Sequence, residues 1–262
     1  NIQLSPDQYP YQMHTPISST VAQISRILFL GTGTSEGVPR VSCLSNPESN
    51  CVVCPDAIKP NSPNRRRNTS LLIQRQRSDG SITNVVIDAG KFFYESAIQW
   101  FPRFSAQTID GLVISHAHAD AVGGLDDLRD WTNNTQSTLP IFLRQSDLDA
   151  VKSLFFYLVD RNKQSGGGGV AKLNFKTINE QPFEVDGLQF TPLPVEHGQG
   201  REAYGYRFGP VSYISDCSKI PASTAKLVSG SELLILDALR PKRTHGTHFT
   251  LEEAVDKARE LR

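Results

Sequence analysis

Hydrophobic positions in this chain come in short bursts separated by polar or Gly/Pro positions. In the first half these are Ile27-Leu28-Phe29-Leu30, Ser70-Leu71-Leu72-Ile73, Val85-Val86-Ile87, Gly111-Leu112-Val113-Ile114 and Leu139-Pro140-Ile141-Phe142-Leu143. Runs this short, rich in Val, Ile and Phe, predict buried strands. The second half repeats the pattern with Leu188-Gln189-Phe190, Tyr204-Gly205-Tyr206-Arg207-Phe208, Val211-Ser212-Tyr213-Ile214 and Leu233-Leu234-Ile235-Leu236. Helical spacing predicts helices over Lys91–Phe101 and Ser146–Arg161, the latter with Ser146 as N-cap. A last helix begins at Thr250, where Thr250 and Glu253 have the spacing to satisfy each other's open backbone N–H groups. Strands alternating with helices in this way predict an α/β fold. Gly166 to Gly169 form an unbroken glycine run with no Lys-Ser/Thr behind it, which predicts a mobile hairpin or lid rather than a phosphate loop.

The chain has 262 residues, enough for one compact core, and no Pro/Gly linker divides it. Lys plus Arg number 27 and Asp plus Glu number 27, so no net field steers the protein toward nucleic acid or an anionic membrane. No apolar stretch approaches the ~20 residues that span a bilayer, and the start lacks a signal-peptide pattern, so a soluble, cytoplasmic protein is expected. The first residue is Asn1, which leaves room for a trimmed organellar targeting segment. His14 sits in a polar N-terminal stretch where no chemistry is expected.

The densest chemistry follows the run Gly111–Ile114: Ser115-His116-Ala117-His118-Ala119-Asp120-Ala121. Two imidazoles at i and i+2 and a carboxylate at i+4 suit a divalent cation and have little packing rationale. A strand that ends in these residues delivers them to the edge where α/β folds keep their open crevice. Three further groups follow strand-like stretches in order: Asp88 after Val85-Val86-Ile87, His197 in Val195-Glu196-His197-Gly198, and Asp216 in Tyr213-Ile214-Ser215-Asp216. Cys43, Cys51 and Cys54 share one loop with C-x7-C-x2-C spacing, and Cys217 stands beside Asp216. By spacing alone the loop cysteines are open to three readings: a structural zinc, free thiols or a disulfide.

These motifs resemble the metallo-β-lactamase superfamily, whose signature is His-x-His-x-Asp-His after a strand. Ala121 stands where the last histidine of that signature falls. The opening Gly31-Thr32-Gly33-Thr34-Ser35-Glu36-Gly37-Val38-Pro39 and Gly123-Gly124-Leu125-Asp126-Asp127-Leu128-Arg129 resemble the phosphoribosyl cyclic phosphodiesterase branch. The resemblance implies a four-layer αββα sandwich, with residues 1–24 as an N-terminal extension and 25–262 as the hydrolase domain, short of its C-terminal strand. It implies that His116, His118, His197 and Asp216 hold a catalytic Zn2+ (or Mn2+), with a water whose pKa falls to about 7. Asp120 joins Asp216 at a second metal position, which Ala121 weakens and biases toward manganese or magnesium, unless Asp126 or Asp127 leans in. Asp120 and His248 are the catalytic candidates. His248 matches the family histidine that contacts phosphate and protonates the leaving group. Asp88 and Asp237 are expected behind the ligands, holding them in place. In the same branch, three cysteines and a distant C-terminal histidine bind a structural Zn2+, which implies that role for Cys43, Cys51 and Cys54.

The function expected from this set is a metal-dependent hydrolase, a phosphodiesterase acting on a small cyclic or nucleotide-like phosphate ester through a metal-activated hydroxide. Arg240 and Arg67, the latter in Arg65-Arg66-Arg67, are the candidates for contacting substrate phosphate, and His245 is expected on the surface. The other readings are a thioester or acyl hydrolase of glyoxalase type, a tRNA 3′-processing nuclease, and a non-catalytic ligand-binding descendant. A small phosphate-ester substrate is the expected partner. Membrane and nucleic acid are not, and a homodimer stays open.

Overall fold

The computed structural model describes residues 24–160 and 169–262. Strand β1 (Ile24–Gly31) pairs antiparallel with β2 (Ser70–Gln76), and β2 with β3 (Ile82–Ile87). Between β1 and β2 lie two one-turn helices, α1 (Val41–Ser45) and α2 (Val53–Ala57). From β3 onward the pairing turns parallel, adding β4 (Gly111–Val113), β5 (Leu139–Arg144) and β6 (Leu173–Ile178). Parallel neighbours need long crossovers, and these carry α3 (Phe93–Trp100), α4 (Ala119–Val122), α5 (Arg129–Asn134), α6 (Gln145–Leu154) and α7 (Phe156–Val159). The second sheet is an antiparallel meander of β7 (Phe183–Val185), β8 (Leu188–Glu196), β9 (Glu202–Phe208) and β10 (Val211–Ile214). Helix α8 (Ala222–Val228) then leads to β11 (Leu233–Leu236), parallel to β10, and α9 (Leu251–Glu260) follows.

The two-residue period of the strands builds the layers. Leu71 and Ile73 of β2, Val85 and Ile87 of β3 and Val113 of β4 face the second sheet, where they meet Phe190, Tyr206, Phe208 and Tyr213. The alternate residues Leu72, Val86 and Leu112 face the helices, packing with Phe93, Ala97, Leu125 and Val151. On the far side, Leu193, Val195 and Ile214 pack with Val228 of α8 and Ala254 of α9. The result is the expected four-layer αββα sandwich. Because both faces of the inner strands are covered, they read in sequence as unbroken apolar runs.

Two helices test the sequence reading. At α9 the agreement is complete: Thr250 Oγ1 accepts from the Glu253 N–H at 3.2 Å, while the Thr250 N–H donates to Glu253 at 2.8 Å. The helix expected over Ser146–Arg161 departs. It starts at Gln145 with Arg144 as N-cap and stops at Leu154, because Phe155 leaves the helical region (φ −129°, ψ 55°). Leu154 to Val159 is apolar at every position, and a continuous helix has only one inward face. The break sends Phe155, Tyr157 and Leu158 to the core and leaves Leu154 and Phe156 exposed. Arg161 lies outside the described residues, as do residues 1–23 and, Gly169 apart, the glycine run expected to be a lid. Strands β6 and β7 and helix α8 were not expected from the sequence.

Candidate metal centre

Five strands release their next residues toward one spot. Asp88 follows β3, His116 and His118 follow β4, His197 follows β8, Asp216 follows β10 and Asp237 follows β11. All leave from C-terminal strand ends, where the ladder stops and side chains are free to converge. His116, His197 and Asp216 are buried there, at 4%, 4% and 6% exposure.

One ligand atom each of His116, His118 and His197 lies within 4.8 Å of the others, and the same holds for His197, Asp216 and His248. His197 Nε2 and His118 Nδ1 are 3.3 Å apart. Two nitrogens on a tetrahedral zinc at ~2.0–2.1 Å stand about 3.3–3.4 Å from each other, so the spacing suits a shared ion. His116 Nε2 is buried with no hydrogen-bond partner, an orphan acceptor of the kind a metal satisfies. Burial lowers the pKa of His116 and of His197, which keeps their lone pairs available at neutral pH. The donor set therefore fits a divalent cation.

Two of the three imidazoles, His116 and His197, are braced from behind. His116 Nδ1 lies 2.9 Å from Ser115 Oγ, and that hydroxyl donates to Asp88 Oδ2 at 2.7 Å. The Ser115 N–H donates to the other Asp88 oxygen at 2.8 Å. Asp88 holds this position with a left-handed φ of 60°, a strained conformation for a non-glycine residue. His197 Nδ1 lies 2.9 Å from the Thr247 carbonyl, which fixes the tautomer that leaves Nε2 facing the cluster. Asp120 Oδ1 stands 3.9 Å from His116 Nε2, and its Oδ2 accepts from Ser35 Oγ at 2.6 Å. Burial works against the Asp120 charge, yet the Ser35 hydrogen bond and the neighbouring imidazoles hold its pKa below the usual carboxylate range.

His248 sits across the cluster, its ring 4.9 Å from that of His197. Its Nδ1 meets Asp237 Oδ2 at 2.7 Å and lies 3.9 Å from Asp216 Oδ1. Burial opposes the imidazolium, but Asp237, with Asp216 and Asp120 behind it, raises the His248 pKa above the ordinary value. A protonated imidazole with Nδ1 tied to a carboxylate has Nε2–H free to donate.

The remaining candidates fall elsewhere. Ala121 is buried and its carbonyl accepts from the Ala89 N–H. Asp126 bonds the Tyr157 phenol and Asp127 the Tyr94 backbone, so neither leans toward the gap. Arg67 pairs with Glu95 at 3.5 Å, while its neighbour Arg66 lines the 430 Å³ cleft beside Asp120, Asp216 and His248. The Arg240 guanidinium donates to the Arg243 and Thr244 carbonyls and does not line that cleft. His245 is exposed, as expected. Ser35, Ser115, Thr247 and Arg66 are contributors the sequence reading missed. The Gly31–Pro39 segment was the visible signal for Ser35.

Cys43, Cys51 and Cys54 bring their sulfurs within 4.8 Å of one another, and all are free thiols. Backbone N–H groups aim at the sulfurs: Arg40 donates to Cys54 at 3.3 Å and Cys54 to Cys51 at 3.5 Å. The bond from the Cys54 backbone lowers the Cys51 pKa toward the thiolate. Cys217 differs, for burial pushes its pKa up to about 12.

An αββα sandwich with imidazoles and carboxylates at its strand ends defines a class of metal-binding proteins. Residues 83–262 match the beta-lactamase superfamily domain, and the chain belongs to that superfamily. A diphosphatase from the PhnP family is 32% identical in sequence, with a TM-score of 0.71 over 90% of this chain and 82% of that one. Zinc-bound PqqB from Methylobacterium extorquens shares the fold at 19% identity (TM-score 0.59, 82% of this chain, 73% of that one). Human tRNase Z, short form, shares it at 14% identity (TM-score 0.55, 90% of this chain, 87% of that one). An octanoyltransferase of Porphyromonas gingivalis (strain ATCC BAA-308 / W83) is 30% identical over 231 residues, which make up 88% of this chain but 42% of that protein. The chain thus spans less than half the length of that curated relative. Among the described residues no helix is long and apolar enough to cross a membrane.

Proposed function

We propose that this chain is a metal-dependent phosphodiesterase acting on small cyclic or nucleotide-like phosphate esters. The observation that carries the reading is the pairing of a metal-fitted imidazole cluster with His248, which Asp237 grips at 2.7 Å on the opposite wall. A divalent ion at the cluster supplies Lewis acidity toward a phosphoryl oxygen and an acidic water at neutral pH. The chain's own residues do the rest. His116, His118, His197 and Asp216 would hold the ion, with Ser115 and Asp88 orienting His116 and the Thr247 carbonyl orienting His197. His248 Nε2–H faces the departing oxygen and protonates it, while Asp237 keeps that imidazole charged and aligned. Asp120, ionised and held by Ser35, would be the carboxylate that joins Asp216 in holding a second ion. The three loop thiols would hold a structural zinc, remote in role from turnover.

The diphosphatase likeness supports phosphate chemistry. The tRNase Z likeness is one of fold alone, and the octanoyltransferase name belongs to a protein more than twice the length of the matched segment. The test is protein loaded with zinc or manganese and assayed on cyclic and linear phosphodiesters, an acyl thioester and a precursor tRNA. Metal-dependent cleavage confined to the phosphodiesters is expected. Turnover of the thioester or the tRNA with none of the small phosphodiesters would overturn the reading.

A further inference from the structure

The segment between β11 and α9 carries two groups of the centre, the Thr247 carbonyl and His248, yet residues 241–249 lie outside every strand, helix and bridge. A bridge between Arg240 and Thr250 closes the base of this loop. The Arg240 guanidinium ties down its near half, donating to the Arg243 and Thr244 carbonyls at 3.0 and 3.2 Å. No ladder sets the far half. The direction of the Thr247 carbonyl, 2.9 Å from His197 Nδ1, therefore depends on what holds Thr247 itself.

Thr247 is held from two sides. Its N–H donates to His245 Nδ1 at 3.4 Å, and its Oγ1 lies 3.0 Å from the same nitrogen. A ring nitrogen that accepts from an N–H is unprotonated, so the hydroxyl donates to it as well and His245 carries its proton on Nε2. Burial and the nearby charges of His248 and Arg240 lower the His245 pKa, which favours this neutral form. On the other side stands Gly198, with a left-handed φ of 93°. A side-chain carbon there would come within 2.7 Å of the Thr247 methyl, so glycine lets Thr247 close up against the turn that carries His197. Asn46, Asp79 and Asn179 make the same kind of contact to the N–H two residues on, at 3.0, 2.9 and 2.8 Å. At position 245 the acceptor comes with a ring, whose centre is 5.3 Å from that of His248.

We propose that His245 is a positioning residue that acts through Thr247 to set the His197 tautomer, and with it the geometry of the metal centre. The inference rests on the metal-site part of the reading above and not on the substrate. His245 is not among the clustered donors. Its Nδ1 holds Thr247, the Thr247 carbonyl holds the His197 Nδ1–H, and that leaves His197 Nε2 unprotonated toward the cluster. Without the acceptor, Thr247 is free to turn and its carbonyl turns with it.

Three substitutions at this exposed position separate acceptor from ring. His245→Asn keeps an acceptor suited to the contact two residues on and removes the ring. His245→Phe keeps a ring without an acceptor, and His245→Ala removes both. Affinity is read by cobalt(II) titration, in which the cysteine loop is told apart by its sulfur-to-metal charge-transfer band. The His197 tautomer is read from long-range 1H–15N spectra of the metal-free protein. His245→Ala and His245→Phe should weaken cobalt binding at the imidazoles by about tenfold, the low end for a lost supporting contact. Both should also shift His197 from the Nδ1–H toward the Nε2–H form, while His245→Asn stays close to wild type on both readouts. Wild-type behaviour of His245→Ala or His245→Phe overturns the proposal, as does a loss in His245→Asn equal to that in His245→Ala. A change in one readout without the other overturns it too. If no phosphodiester is hydrolysed, the substrate reading falls, and these two substrate-free readouts still decide the role of His245.

Discussion

The imidazole cluster and the cysteine loop are both candidate metal sites, yet they are built on opposite principles. Around the imidazoles, the sheets set the geometry first: strand ends hold the side chains, Asp88 and Ser115 lock His116, and the Thr247 carbonyl locks His197. In the cysteine loop Cys43 rides on α1 and Cys54 on α2, one turn each, with Cys51 in the link between them, and α1 has no buried residue of its own. Isolated turns of that length are not stable by themselves. The first site is organised by the fold and offers that order to a metal. In the second, a metal would supply much of the order itself. Removing a ligand should therefore destroy chemistry in one place and local structure in the other.

The largest effect is expected from His118→Ala. It removes one of the two nitrogens that face each other at 3.3 Å, and the strand frame cannot move another donor into the gap. Metal affinity should fall by more than the 10–100-fold typical of losing a supporting contact, and turnover should fall with it. Elemental analysis per chain reads this directly. Full metal retention would mean that the pocket is held otherwise.

His248→Ala should come next and should separate chemistry from metal binding. Loss of a general acid costs about 10²–10⁴-fold in rate, while metal content stays intact. The loss should shrink for p-nitrophenyl esters, whose leaving group needs no proton. Because the acid must be protonated, activity should fall as pH rises through the His248 pKa, which Asp237 holds above the ordinary imidazole value. Asp237→Asn removes that support, so the alkaline limb should move to lower pH. A limb unmoved by Asp237→Asn would assign it to another group.

Asp88→Asn probes the bracing. The amide keeps the volume but offers a donor where the Ser115 hydroxyl needs an acceptor, so the relay to His116 Nδ1 is broken. Metal affinity should fall by about 10–100-fold with the ligand set unchanged. An affinity equal to wild type would show that the strand ends alone orient His116.

How much of this was legible in the sequence follows from the same contrast. Groups that directly follow apolar runs, such as Asp88, His116, His197 and Asp216, were visible because the strand and its next residues are one local signal. The contact from Ser35 to Asp120 spans 85 positions and has no local signature beyond a glycine-rich segment. Arg66 and Arg67 could not be told apart by composition. Arg66 bridges Val38 in extended backbone, where successive side chains point to opposite sides, so one reaches the cleft and the other Glu95. The Leu154–Val159 run fooled the helical reading because its unbroken apolarity carries no period. Strands β6 and β7 were hidden for a related reason: β6 alternates apolar and polar positions too weakly, and β7 is three residues long.

The smallest effect on turnover is expected at the cysteine loop, from Cys54→Ser. Cys54 is the buried member of the three, and both the Arg40 and Cys51 contacts converge on its residue. A hydroxyl is a poorer partner for a soft-ligand zinc site than a thiolate, so one zinc per chain should be lost. The αββα frame packs its own cores without this loop, and the imidazole ligands leave from strand ends that the loop does not brace. Turnover should therefore change little. The melting temperature should drop by about 2–4 °C for each kcal/mol of anchoring lost, and limited proteolysis should now cut between Val41 and Ala57. If the metal count and proteolysis pattern match wild type, the three sulfurs are reduced thiols held by backbone N–H groups, and the contrast between the two sites loses its metal. If turnover collapses instead, the loop braces the catalytic cleft through the Val38–Arg66 bridge, and its order is part of the active site.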